Sequence, residues 1–273
     1  MVEEPEGDLV TPYYERDGIV IHHGDCREVL PTLGQVDHVI TDPPYSETTH
    51  SGARSLVSDN RAGGSGNNAG RIDFGSVDAQ FVRGVLERAA PTRWTIASLD
   101  WRHVGHLECS PPAGLRFVRF GIWVKPDGAP QFTGDRPATG WEAIAILHAL
   151  GGKMRWNGGG NRAVWTHGIA REEHPTAKPI GLLTELTELF TDPGETILDP
   201  FAGSGTTLVA AYQLGRKAIG IELEEKWCEV AAKRLEAQTP PLFVVPPEKP
   251  EQLGWQGSSG AEWMRPYLPE GTP

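Results

Sequence analysis

Cysteine is scarce. The 273 residues contain three, Cys26, Cys109 and Cys228, odd in number and far apart. That spacing excludes a disulfide framework and a zinc ribbon, and it fits three ordinary thiols in a reducing cytosol. Long apolar runs are missing too. No stretch approaches the ~18 consecutive apolar residues of a membrane helix, so no membrane partner is expected. The opening MVEEPEGDLVTP lacks a basic-then-apolar leader pattern, and export is not expected. Positive charge is in deficit: 25 Lys and Arg against 36 Asp and Glu leave a net charge of −11. A polyanion is therefore not gripped by the field of the whole protein. The deficit is uneven, however. Glu3, Glu4, Glu6 and Asp8 crowd one end and more acid follows Glu222, whereas Trp101 to Glu173 carries nine basic and six acidic side chains. A locally basic face on an acidic protein stays open. No internal repeat is visible.

What is present is strand alternating with helix. Seven runs read as strands: 19–23, 38–42, 94–99, 117–124, 142–148, 196–201 and 218–222. Several are short, apolar and β-branched, as strands covered on both faces should be. Helical patterns occupy roughly 26–33, 78–90, 179–190, 206–214 and 224–237, with Asp78 placed to cap the second and Pro179 in the first turn of the third. The implied class is α/β, a doubly wound, mostly parallel sheet whose ligands sit beyond the carboxyl ends of its strands. Three segments fit neither element: a Gly/Asn/Ser-rich stretch at 46–75, expected to be a mobile loop, the Arg/Trp/Gly-rich 151–173, and a Pro-rich tail from Gln238. The boundaries read as an acidic extension 1–17, a catalytic domain 18–237 and a tail 238–273.

The densest constellation is TILDPFAGSGTTLVAAYQLGRKAIGIELEEKW, 196–227. A strand ends at Asp199, a glycine turn follows, and a helix opens near Thr206. Glycines admit a ligand close to the backbone, and a helix N-terminus offers free N–H groups. Glu222, seventeen residues after Gly205, ends the next strand, where a carboxylate accepts hydrogen bonds from a ribose diol. A phosphate loop needs lysine where Thr206 stands, and a dinucleotide fingerprint needs glycine where Leu208 stands. Asp199 would repel a pyrophosphate. A ribose without phosphate and with a cationic end fits better, and S-adenosyl-L-methionine is such a ligand.

A second strand ends in Asp42-Pro43-Pro44-Tyr45. Two prolines cannot continue a ladder, and they hold the Pro43 carbonyl rigidly. An exocyclic nucleobase amine is a poor nucleophile because its lone pair is delocalised into the ring. The Asp42 carboxylate and the Pro43 carbonyl can each accept one of its N–H groups, drawing nitrogen toward tetrahedral geometry by preorganisation. Tyr45 offers a flat face to a base rotated out of a duplex.

With DPPY ahead of DPFAGSGTT, residues 18 to 237 resemble the β-class amino DNA methyltransferases, which methylate adenine N6 or cytosine N4. The resemblance implies a Rossmann-like methyltransferase sheet of six parallel strands and one antiparallel, in circularly permuted motif order. It also implies a cytoplasmic, bacterial or phage-encoded enzyme acting on double-stranded DNA. By resemblance Asp25, with Cys26 beside it, meets the cofactor's adenine. Thr176 and Lys178 of HPTAKP meet its methionine end, and Phe201 packs against it. Asp199, Pro200, Ala202, Gly203, Ser204, Gly205 and Thr206 line its turn, with Asp42 close by. From the residues alone, a helix cap is a second reading of Asp25 and a solvated lysine a second reading of Lys178.

By the same resemblance, aspartate rather than serine at 42 implies adenine as the target, with cytosine N4 the alternative. Methylation of RNA or of a protein amide, and a non-catalytic binder, stay open behind these. The family reads its site between the last catalytic strand and HPTAKP, and here that window, 149–173, is short. Lys153, Arg155, Trp156, Asn157 and Arg162 are its candidate DNA contacts, with Arg54, Arg61 and Arg71 of the long loop reaching phosphates. A short window implies a short site, loose specificity or a second subunit. A homodimer and a cognate restriction endonuclease are the open partners. His103 and His106 have no third ligand nearby in sequence, so no metal is expected.

Overall fold

The computed structural model describes residues 11–44, 78–128, 130, 131, 134–170 and 177–239. The chain divides into two units, Met1–Leu242 and Phe243–Pro273, the second outside the described residues. The strands are β1 (Tyr14–Arg16), β2 (Ile19–His23), β3 (His38–Thr41), β4 (Trp94–Leu99), β5 (Leu115–Val124), β6 (Trp141–Ala149), β7 (Val164–Thr166), β8 (Thr196–Asp199) and β9 (Lys217–Glu222). The helices are α1 (Cys26–Val29), α2 (Ala79–Ala89), α3 (Trp101–Cys109), α4 (Ile180–Phe190), α5 (Thr206–Gln213) and α6 (Glu225–Glu236).

Among the described residues these strands form one sheet in the order β1-β2-β9-β8-β3-β4-β6-β5-β7. Neighbours from β2 to β4 pair in parallel, and β6 is antiparallel to both β4 and β5. The seven strands read from sequence are therefore six pointing one way and one reversed. The two additions are short: β1, antiparallel on β2, and β7, parallel to β5. β1 lies ahead of residue 18, within the stretch that reads as an acidic extension, and pairs with β2. Its signal was Asp17-Gly18, whose φ angles of +49° and +83° form the kind of tight hairpin turn that Asp-Gly favours.

Period-two alternation builds a core on each face of the sheet. Ile19, Ile21, Ile40 and Ile197 pack with Leu182, Leu186 and Phe190 of α4, Leu208 of α5, and Ala231 and Leu235 of α6. Val39, Leu198 and Ile221 face the other way, onto Val29 of α1, Val82 and Leu86 of α2, and Val104 and Leu107 of α3. Asp78 caps α2, its carboxylate accepting from the Phe81 N–H at 2.7 Å, as its position predicts. Pro179 is the N-cap of α4 rather than a residue of its first turn. Helix α3 was not apparent in sequence because glycine and two histidines weaken its propensity; Asp100 starts it, accepting from Arg102 N–H at 2.9 Å.

β8 is followed in the chain by its neighbour β9, and β3 by its opposite neighbour β4. The order diverges between β8 and β3, so a crevice opens at their carboxyl ends.

Candidate active site

The crevice brings DPPY and the glycine turn together. His38 pairs with Ile197 and Val39 with Leu198, which puts Asp42 and Asp199 at the same rim. Thr41 joins the two strands: its hydroxyl donates to Asp199 Oδ1 at 2.7 Å, and the Phe201 N–H donates to the same oxygen at 3.1 Å. Asp199 is buried, and that burial raises its pKa. It shapes the turn from beneath.

Asp42 is the unusual group. Oδ2 accepts from Lys178 Nζ at 2.5 Å, while Oδ1 is buried without a hydrogen-bond partner among the described residues. Burial is the largest influence and Lys178 opposes it, so the carboxyl is pushed up to about 6. An orphaned carboxylate oxygen is costly in a fold and marks a place for a donor from outside. Pro43, beside it, is buried.

The glycine turn has the form sequence suggests. Gly203 and Gly205 hold φ of +51° and +79°, and α5 starts at Thr206. Glu222 is buried at the end of β9, accepting from Gly203 N–H and Glu224 N–H at 2.8 Å each, one per oxygen. Each oxygen keeps lone-pair capacity for a hydroxyl. Burial raises this carboxyl as well. Pro200, Ala202 and Gly205 are buried, and Phe201 is half-buried, 6.2 Å from Phe81 between ring centroids.

Other site residues have partners within the protein. The Ser204 and Thr206 hydroxyls turn to Arg234 of α6, whose Nη1 donates to them at 2.9 and 3.1 Å and to the Ser204 carbonyl at 2.9 Å. Arg234 thus ties the turn to α6. Asp25 is a helix cap: Oδ1 accepts from Arg27 N–H at 2.8 Å, and the Arg27 side chain pairs with the same carboxylate. Arg27 also lies 5.9 Å from the Phe81 ring. Cys26 is buried and pushed up to about 11 by that burial, a packing thiol. Lys178 is buried rather than solvated; its ammonium rests on Asp42 and on Glu142, a residue with no signal of its own in the sequence. Tyr45, Arg54, Arg61, Arg71 and Thr176 lie outside the described residues.

The candidate recognition window is corrected in large part. β6 ends at Ala149, opposite Leu115 where β5 begins, so the chain after it starts at the edge away from the crevice. There Asn157 Nδ2 donates to the Glu188 and Thr191 carbonyls at 3.0 Å each, closing the end of α4. Trp156 stacks edge-on against Phe190 at 4.8 Å, Trp165 is buried, and Arg155 faces Asp192 at 3.9 Å. Trp156, Trp165 and Asn157 are anchors, whereas Arg155 stays exposed. Lys153 and Arg162 are exposed, Lys153 at that far edge and Arg162 two residues before β7, which enters alongside Ile122. At the crevice rim a different pair is displayed. Trp101, just past β4, is 59% exposed with Arg102 4.5 Å from its ring. Among the described residues no cluster of His, Cys, Asp and Glu is arranged to hold a metal, and no helix is long and apolar enough to cross a membrane.

Residues 148–233 match the model of the DNA methylase family, which takes in N6 and N4 enzymes. The chain is similar to DNA methylases across the sheet and crevice. Among similar proteins, the Type II methyltransferase M2.DpnII of Streptococcus pneumoniae is 28% identical over 263 residues, covering 84% of this chain and 94% of the relative. The putative methylase YubD of Escherichia coli K12 is 29% identical over 259 residues, covering 89% and 96%. A crystal structure of M1.HpyAVI with S-adenosylmethionine has the same fold, with a TM-score of 0.60 at 24% identity, covering 79% of this chain and 98% of that chain.

Proposed function

We propose that this protein transfers a methyl group from S-adenosyl-L-methionine to the exocyclic N6 of an adenine rotated out of duplex DNA. The observation that carries the reading is Asp42 Oδ1, buried at the topological switch point without a partner among the described residues while its sister oxygen is held by Lys178. The cofactor fits the residues present. Glu222 supplies acceptors for a diol, Gly203 and Gly205 keep the turn open to a close ligand, and the turn has no Lys or Arg between Asp199 and Thr206 to neutralise a phosphate. The cofactor supplies an electrophilic methyl on a sulfonium. The chain does the rest: Asp42 Oδ1 accepts one amine N–H and the Pro43 carbonyl the other, localising the nitrogen lone pair toward the incoming methyl. As the N–C bond forms, the nitrogen must lose a proton, and Oδ1, already hydrogen bonded to it, is the acceptor in place. A carboxyl titrating near 6 then returns that proton to water at neutral pH.

Incubation with labelled cofactor and unmethylated duplex DNA of mixed sequence, followed by nucleoside identification, tests this reading, and label in N6-methyladenine is expected. Label in N4-methylcytosine alone would select the second reading, which the same acceptor pair serves. Because Asp42 can take up the amine proton only when ionised and its pKa is raised, the single-turnover rate should fall as pH drops through about 6. A rate constant unchanged down to pH 4.5 would remove the carboxylate from the reaction.

Duplex DNA is the partner. With Lys153, Arg155, Trp156 and Asn157 away from the crevice, contacts to the substrate fall to the rim, to segment 45–77 or to a second copy. Trp101 with Arg102 is suited to stack on a base beside the vacated position. Trp101→Ala is expected to raise KM for DNA about 10- to 100-fold, the scale of one base–aromatic stack, with cofactor affinity unchanged. Steady-state kinetics together with cofactor titration check it, and an unaltered KM would return Trp101 to an ordinary surface residue.

A further inference from the structure

The crevice holds a charge cluster larger than the chemistry above requires. Lys178 is 6% exposed, yet its ammonium reaches two carboxylates, Asp42 Oδ2 at 2.5 Å and Glu142 Oε2 at 3.4 Å. Glu142, second residue of β6, also pairs through Oε1 with Lys125, which follows β5. Both ammonium groups flank the buried Trp123 ring, at 6.0 and 4.5 Å from its centroid. Two cations and two anions thus form a formally neutral quartet against an apolar floor, and Asp42 is the member at the reaction centre. A carboxylate alone can present either oxygen; one clamped at Oδ2 presents only Oδ1. A clamping ammonium without a second anion would be drawn fully onto Asp42, weakening its remaining acceptor.

We propose that Lys178 and Glu142 are positioning residues for methyl transfer: Lys178 fixes which oxygen of Asp42 meets the target amine, and Glu142 holds Lys178 in that pose and limits its pull on the carboxylate. This rests on the reading of Asp42 given above. It assigns Lys178 to the acceptor side of the reaction rather than to the cofactor's methionine end. Charged groups facing Asp42 are Lys178 ahead of α4, Glu142 from β6 and Asp199 from β8; Lys178 lowers its pKa, and the two carboxylates raise it.

The two partners therefore act with opposite sign, which a merely structural salt bridge gives no reason to show in the reaction. The experiment measures single-turnover transfer against pH on unmethylated mixed-sequence duplex DNA, at saturating labelled cofactor. Asp42→Asn serves to assign the carboxyl signal, and the Asp42 titration is followed in parallel by carboxyl NMR in the full chain. Lys178→Met should move the acid limb upward by about one pH unit or more and cut the plateau at least ~10-fold. Glu142→Gln should move the limb downward, with a smaller loss on the plateau. Limbs that stay in place or move together overturn the proposal, as does damage confined to cofactor affinity. If Lys178→Met does not fold, Glu142→Gln decides alone: a downward limb supports the assignment, and a fixed or rising one overturns it. If the wild type methylates no DNA, the functional reading has failed, and the opposed shifts in the NMR titration still decide the pairing.

Discussion

Replacing Asp42 with alanine is expected to lower the single-turnover rate of methyl transfer by about 10³, the scale on which one preorganised electrostatic group acts in a water-poor site. The cofactor should still bind within a few-fold of wild type. The reason is the division of labour at the rim. Asp42 lends no group to the glycine turn, whose backbone is held by Asp199, Glu222 and Arg234. Removing it leaves Lys178 buried with Glu142 as its partner, so the fold keeps a compensated charge. Rapid-quench transfer assays beside cofactor titration by calorimetry read the two quantities separately. A variant that transfers normally, or one whose entire defect is lost cofactor affinity, would take Asp42 out of the acceptor role.

Gly205→Ala is expected to act at the other end of the reaction and on the fold together. The residue holds φ +79°, and a Cβ there would meet Ala231 Cβ at 2.7 Å and Ala231 Cα at 3.2 Å. Left-handed backbone costs a non-glycine residue about 1–2 kcal/mol, and overpacking a close helix contact costs about 1–3 kcal/mol more. For a chain of this length a combined loss of about 2–5 kcal/mol lowers Tm by roughly 5–15 °C. Because α6 also carries Arg234, which grips Ser204 and Thr206, displacing it should loosen the cofactor turn and weaken cofactor binding about tenfold or more. Scanning calorimetry with and without cofactor measures both effects. An unchanged Tm with unchanged affinity would mean that the turn and α6 do not pack as closely as described.

Most of the fold was legible because buried parallel strands carry a strong local pattern. β2 and β4 fall at the residues read from their apolar runs, and β3, β8 and β9 within a residue or two at either end. Elements that escaped lacked such a pattern. β7 has three residues whose identity as a strand comes from pairing with Ile122–Val124 rather than from alternation. The misplaced recognition window failed for a related reason. Trp156 and Asn157 have side chains suited to DNA, but composition does not say at which edge of the sheet a segment emerges, and β6, being reversed, delivers it away from the crevice.

The sequence by itself determined the local signals at the rim: an aspartate and two prolines closing one strand, a glycine turn after Asp199 and an acidic residue closing the next, because these signals are contiguous and local. Only the tertiary structure decided who serves whom. Lys178 and Glu142, thirty-six positions apart, have no sequence relation that pairs them. They meet because an antiparallel strand brings its first residues to the same rim where a loop delivers a buried ammonium, and a cation shielded from water takes the carboxylates within its reach.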